Sequence, residues 1–347
     1  MKLTGKLTGN LTGNCLTTAM GILPHEDVEE ALKLALSVDI PFWPQLPRVS
    51  FYEDMYVQIS EHFPGISLDL ENQSISFSLE DFYGGLEEYL ERGEDEAYFR
   101  LSPEYSAVYH RFLAEDLSSY PRIRGQSIGP VSFGLKILDE MKKPMIYQEE
   151  VRQLVFEFVA KKLTAQYREM QAVHPGAFVW VDEPGLEMLF MAFTGYISER
   201  ALMDYRAFLE SFPGPKGVHL CGNPDWSFLL QLDLDILSLD VLARGHIFTR
   251  YSDDIKAFLD RGGIISWGIT PTLTDEYVAE NAATLIRKLE DMWRYLEGRG
   301  IPYQQILSQA WLAPARCCLI NTDGSKTVEN SFALLRLVSD HFKARLK

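Results

Sequence analysis

Short apolar runs alternate with longer stretches in which apolar residues recur every three or four positions. The short runs are 39–46 (DIPFWPQL), 74–79 (SISFSL), 122–129 (RIRGQSIG), 177–184 (AFVWVDEP), 217–222 (GVHLCG), 235–240 (DILSLD), 263–269 (GIISWGI) and 305–312 (QILSQAWL). Runs of this length read as buried strands. The stretches between them read as helices. In 146–172, Val151, Leu154, Val155, Phe158 and Val159 fall on one face. In 326–345, Val328, Phe332, Leu335, Val338 and Phe342 do the same. A third helix is expected over 274–299 with Thr274 as its N-cap. A fourth is expected to open at Pro24, with Glu26 and Asp27 against the positive end of its dipole. Strands that alternate with helices, without a Pro/Gly/Ser-rich linker, predict one parallel sheet. About eight such strands favour a single (β/α)8 TIM barrel over an open sheet. The triplet LTG, at Leu3, Leu7 and Leu11, repeats too closely for a solenoid. Residues 1–14 are expected to be a lead-in, and 15–347 the barrel.

Charge and composition narrow the function. The 347 residues carry 33 Lys and Arg against 49 Asp and Glu, a net charge of −16. That field repels phosphate backbones and anionic lipid, so no nucleic-acid or membrane partner is expected. No apolar run reaches the roughly 18 residues of a membrane span, and the N-terminus lacks a secretory apolar core. A cytoplasmic location is expected, with free thiols at Cys15, Cys221, Cys317 and Cys318. Neither a G-x-G-x-x-G turn nor a phosphate-binding loop follows any strand, which argues against nucleotide chemistry.

In a barrel, reactive residues belong at the C-terminal ends of strands. His219 and Cys221 are two apart on one predicted strand, so both side chains face the same side of the sheet. Asp240 ends the next strand, and Cys317 or Cys318 follows the last. Histidine, thiolate and carboxylate donors together suit zinc. Each also has a simpler reading: a buried Cys beside a satisfied His, a helix-capping Asp240, or cysteines that merely pack. Asp182 and Glu183 end another strand, where they can hold an amino group, act as a base, or cap the following helix. Trp267 either lines a pocket or packs.

In this order, the segments LTTAMGILPH, GPVS (129–132), VDEP (181–184), VHLCG, DILSLD, SWGITPT and LAPARCCL resemble the catalytic barrel of the cobalamin-independent methionine synthases and their uroporphyrinogen decarboxylase-like relatives. The resemblance spans almost all of the chain after residue 14. It implies zinc held by His219, Cys221, Asp240 and Cys317, with Cys318 as the alternative to Cys317. His219 and Cys221 would be the centre of catalysis, with homocysteine as the thiol acceptor and methionine as product. Asp182, with Glu183, would hold the substrate ammonium. Met20 and Gly21 would lie at its carboxylate, and Trp267 would line the pocket. The short "core" members of the family further imply a methylated corrinoid protein as donor, because no second barrel for a folate donor fits in this length. The chain departs from the family where Asp240 replaces a Glu, and where Met20-Gly21-Ile22 replaces Ile-Gly-Ser. It also has one extra residue between Pro314 and its cysteine pair. Two rivals stand beside this reading: a corrinoid-dependent methyltransferase acting on another thiol such as coenzyme M, and a uroporphyrinogen decarboxylase-like lyase.

Overall fold

A computed structural model describes residues 11–190, 196 and 198–346; Leu3 and Leu7 of the lead-in lie outside the described residues. The strands are β1 (Leu16–Thr17), β2 (Ile66–Asp69), β3 (Ser74–Phe77), β4 (Ile123–Ile128), β5 (Ala177–Asp182), β6 (Gly217–Leu220), β7 (Ile236–Asp240), β8 (Ile264–Thr270) and β9 (Ala310–Pro314). Seven of them form one curled parallel sheet in the order β1-β9-β8-β7-β6-β5-β4, while β2 and β3 pair as a separate antiparallel hairpin. Helices cover the outer face of the sheet.

The two faces of the sheet are distinct because side chains alternate along each strand. Val179, Val181, Val218, Leu220, Leu237, Leu239, Ile265 and Leu312 pack outward in the large core shared with the helices. Phe178, Trp180, Ile236, Ile264 and Trp311 form a second cluster with Met20 and Ile40. Trp180, Ile236 and Ile264 sit level with one another through Gly217, with Phe178 two residues before Trp180 on its strand and Trp311 level with Ser266, on the inner face of the curl.

Segment 39–46 does not form the strand expected of it. Pro41 and Pro44 have no N–H to give a ladder. The segment instead joins the two edge strands by single bonds and bridges. Ile40 N donates to Thr17 O at 2.9 Å, and Arg124 N donates to Pro41 O at 2.8 Å. Phe42 bridges to Arg124, and Gln45 to Ile22.

Other boundaries differ for local reasons. The run 305–312 divides into a helix, Tyr303–Ser308, and then β9. The run 74–79 pairs in the hairpin and gives Ser78 to the following helix as its cap. The first helix starts at Val28, because Asp27 is its N-cap and accepts from Glu30 N. Glu29 and Glu30, not Glu26 and Asp27, occupy its first turn. The expected helix 274–299 is two, Thr274–Tyr277 and Ala282–Gly298. Leu273 caps the first, and Asn281 caps the second in a capping box with Thr284, so Thr274 is not the cap. The two long helical patterns hold, as Glu149–Val173 and Lys326–Lys343. Among the described residues no helix is long and apolar enough to cross a membrane.

The lead-in is anchored at Gly13, whose N donates to Ser308 O at 3.1 Å. A Cβ there would stand 2.3 Å from that same oxygen and 2.6 Å from the Gln309 Cα, both backbone atoms that cannot move aside cheaply. Gly13→Ala should therefore destabilise the fold by about 1–3 kcal/mol, read as a lower denaturation midpoint at unchanged slope.

Candidate active site

The register of three neighbouring strands assembles the site. Asp182 of β5 pairs with His219 of β6, and His219 pairs with Ser238 of β7. His219 is 3% exposed. Its Nδ1 lies 2.9 Å from Ser238 Oγ and its Nε2 lies 3.2 Å from Cys221 Sγ. On its flank the ring stacks against Trp180 at 5.8 Å, and the guanidinium of Arg124 lies 3.8 Å from the Trp180 ring centroid. Burial, helped by the Arg124 charge, lowers the His219 pKa to about 3. The imidazole is therefore neutral and keeps a nitrogen lone pair for a ligand.

Cys317, just beyond β9, completes the cluster. Its thiol hydrogen-bonds with that of Cys221, which holds Cys317 below its usual pKa and pushes Cys221 well above its own; burial adds to the second shift. Of the two, Cys317 is the easier thiolate. Cys318 turns the other way. It lies in the outer core and donates to Ile320 O at 3.5 Å.

Asp182 stands beside the thiols and is 5% exposed. Burial raises its pKa to about 7 against the opposing pull of Arg124, and its Oδ1 has no hydrogen-bond partner. A buried carboxylate oxygen without a donor is costly, and it marks a position where a ligand's donor fits. Met20 lies in the inner cluster against which Cys317 packs. Gly21 allows close approach: a Cβ there would be 2.2 Å from Gln126 Nε2 and 2.9 Å from Gln45 Oε1.

Three predicted residues have other duties. Glu183 accepts from Val131 N at 3.1 Å and from the N and Oγ of Ser132 at 2.9 and 2.5 Å, so it caps the helix Pro130–Lys136. Gly129, that helix's N-cap residue, has no side chain to do so. Trp267 is odd in the alternation of β8 and faces outward, where it meets Phe248 at 5.9 Å and Trp293 at 5.7 Å. Asp240 caps the helix Val241–Phe248 through Ala243 N and pairs with Arg316. The sequence reading missed Arg124, Trp180, Ser238 and Arg316. Arg124 carried a usable signal, since a charge inside a run read as a buried strand calls for a role.

Among the described residues there is no group of three or more His, Cys, Asp or Glu side chains that could hold a metal ion as it stands. The donors meet instead as two hydrogen-bonded pairs. Around a tetrahedral zinc, bonds of about 2.0 Å to nitrogen and 2.3 Å to sulfur set these atoms about 3.6 Å apart. The 3.2 Å contact of His219 with Cys221 would have to open by a few tenths of an ångström. The donor types do fit: a neutral imidazole oriented through its other nitrogen, and two thiols of which one ionises easily.

No protein-family model and no curated protein matches the sequence. Solved structures do match in fold. One is a B12-independent methionine synthase from Shewanella sp. W3-18-1, in complex with selenomethionine. It has a TM-score of 0.58 and 13% identity, over 95% of this chain and 98% of that one. Another is a methyltransferase from Methanosarcina mazei, with a TM-score of 0.57 and 15% identity, over 95% and 94% of the two chains. At such identities the likeness is one of fold.

Glu183 yields a pH prediction. Burial, opposed by its three hydrogen bonds, raises its pKa from 4.5 to about 7. Between those values the folded chain binds more protons than the unfolded one, so stability falls as pH rises through the interval. Glu183→Gln should flatten the decline in melting temperature between pH 5 and pH 7.5. An unchanged slope would show that this carboxyl does not set it.

Proposed function

We propose that this protein is a methyltransferase that moves a methyl group to the thiol of homocysteine and forms methionine. Residues 15–347 act as one catalytic unit, a (β/α)8 barrel in which segment 39–46 occupies the eighth strand position. The observation that carries this reading is the meeting of His219, Cys221 and Cys317 at the C-terminal end of the sheet, next to a buried carboxylate with a free oxygen. These three side chains would hold zinc. A zinc ion there would supply acidity, lowering the pKa of a bound thiol from near 8.5 so that it is a thiolate at neutral pH.

The chain's own residues account for the rest. Ser238 and Trp180 hold the His219 ring in its plane, with Nε2 toward the sulfurs. Asp182 Oδ1 receives the substrate ammonium, and the new charge beside it favours the ionised carboxylate. Met20 and Gly21 border the far end of the amino acid. The substrate thiol first gives up its proton to solvent. Its sulfur then forms a bond to the methyl carbon as that carbon's bond to the donor breaks, in line, and the electron pair of the broken bond stays with the donor. The donor we propose is a methylated corrinoid protein, on the resemblance described above.

Asp182 also separates the rivals. A buried carboxylate attracts an ammonium and repels a sulfonate, so an amino-acid thiol fits better than coenzyme M. The paired thiols favour metal-assisted transfer over a decarboxylating lyase.

Incubation with methylcobalamin and each thiol in turn should give methionine from homocysteine and no methylated coenzyme M. Turnover by zinc-free protein, or with coenzyme M alone, would overturn the reading. Cys221→Ser should abolish both bound zinc and turnover, while Cys318→Ser leaves both in place. Asp182→Asn should raise the homocysteine KM by about tenfold or more, the worth of a hydrogen bond to a charged group, with zinc content unchanged.

A further inference from the structure

Asp240 lies two residues after Ser238 on β7, level with Gly268 of β8, at the end of the sheet where the thiols meet. Both of its oxygens are already engaged. Oδ1 accepts from Ala243 N at 2.9 Å, and Oδ2 accepts from Arg316 Nε at 3.0 Å and Nη2 at 2.8 Å. The carboxylate is 2% exposed, so water does little to loosen these bonds. The other arm of Arg316, Nη1, reaches Glu276 Oε1 at 3.1 Å in the helix Thr274–Tyr277. Arg316 is the residue immediately before Cys317, and the last tie of β9 to the sheet is Ala315 N donating to Thr270 O at 2.8 Å.

We propose that Asp240 is no metal ligand but the anchor for Arg316, and that Arg316 is a positioning residue that fixes where Cys317 leaves β9. This rests on the zinc reading above. It limits the ion's protein ligands to His219, Cys221 and Cys317, with the fourth place left for the substrate sulfur, as in other catalytic zinc sites. Three arguments favour it. Moving Asp240 onto a metal would strip a helix of its cap and take from the partly exposed Arg316 guanidinium the partner of two of its N–H groups. Two N–H groups of one guanidinium converging on a single buried carboxylate oxygen fix direction, and so set position as well as charge. Two Cys thiolates and a substrate thiolate would already exceed the charge of a divalent ion, so a further carboxylate would add still more uncompensated charge in a buried site.

The two roles for Asp240 predict opposite effects of removing Arg316. A ligand freed from its competitor would bind metal as well or better, whereas a lost latch binds it worse. Zinc stoichiometry, zinc affinity by chelator competition and the thiolate-to-cobalt absorption of the Co(II)-loaded protein are to be measured for the full chain and its variants. Arg316→Gln should weaken zinc about 10–100-fold, as loss of a residue supporting a ligand does. Asp240→Asn, whose remaining oxygen can still cap the helix, should weaken it by a similar factor. The double variant should be no worse than either single one, and Arg316→Lys should fall between wild type and Arg316→Gln. At saturating cobalt, Asp240→Asn should keep the full two-thiolate absorption. Unchanged or tighter zinc in Arg316→Gln, or a loss in Asp240→Asn as complete as in Cys221→Ser, would overturn the proposal. Wild-type protein that takes up no zinc would instead fail the functional reading itself, and this inference with it.

Discussion

The site depends on the register of the parallel ladder across β5, β6 and β7. Asp182, His219 and Ser238 are direct neighbours in that ladder. A slip of one residue in any of the three strands would turn its site side chain to the helices. The apolar residues of the inner cluster hold the register. Trp180 and Ile236 flank Gly217, and a Cβ at Gly217 would stand 2.6 Å from the Trp180 Cβ. The bulk that fixes the strands is therefore the same bulk that stacks against His219. Stability and function share these residues, so a large substitution in the inner cluster acts on both.

Charge inside the curl is arranged with equal economy. Arg124 is fully buried, lies between the Phe42 and Trp180 rings, and donates to Ala19 O and Thr18 Oγ1. Burial lowers its pKa to about 9, so it is still a cation at neutral pH. That cation is the counterweight to Asp182, and it also keeps a proton off His219. One guanidinium held between two aromatic rings thus opposes the effect of burial on Asp182 and reinforces it on His219.

Much of this was legible in the residues, for a physical reason. Period-two and period-three-to-four patterns report which side of an element is buried, and six of the runs read as strands supply strands of the main sheet. His219 and Cys221 do meet as expected, although β6 ends at Leu220 and Cys221 sits in the bend just beyond it. What the pattern cannot express is competition for a side chain. Glu183 was open as a site acid or as the cap of the helix that follows it; the cap-less helix that begins after Gly129 claims it instead. Trp267 was open between lining a pocket and packing, and its parity along β8 points it outward into the core. Asp240 was open as a ligand or a helix cap; Ala243 N takes one of its oxygens as a cap does, and the position of Arg316, which takes the other, was not legible. Segment 39–46 had the composition of a strand and was prevented by its two prolines.

Those prolines leave the sheet with an uneven circumference. Between most neighbouring strands a continuous ladder resists separation, but between β1 and β4 a handful of individual bonds does that work. Thermal breathing will concentrate there, so the amides of Ile40, Gln45 and Arg124 should exchange with solvent ahead of those in the middle of β7 and β8. Met20, Gly21 and Arg124 all border this seam. The part of the wall best able to yield to an arriving ligand is thus the one between the two edge strands, farthest along the sheet from the continuous ladders of β7 and β8.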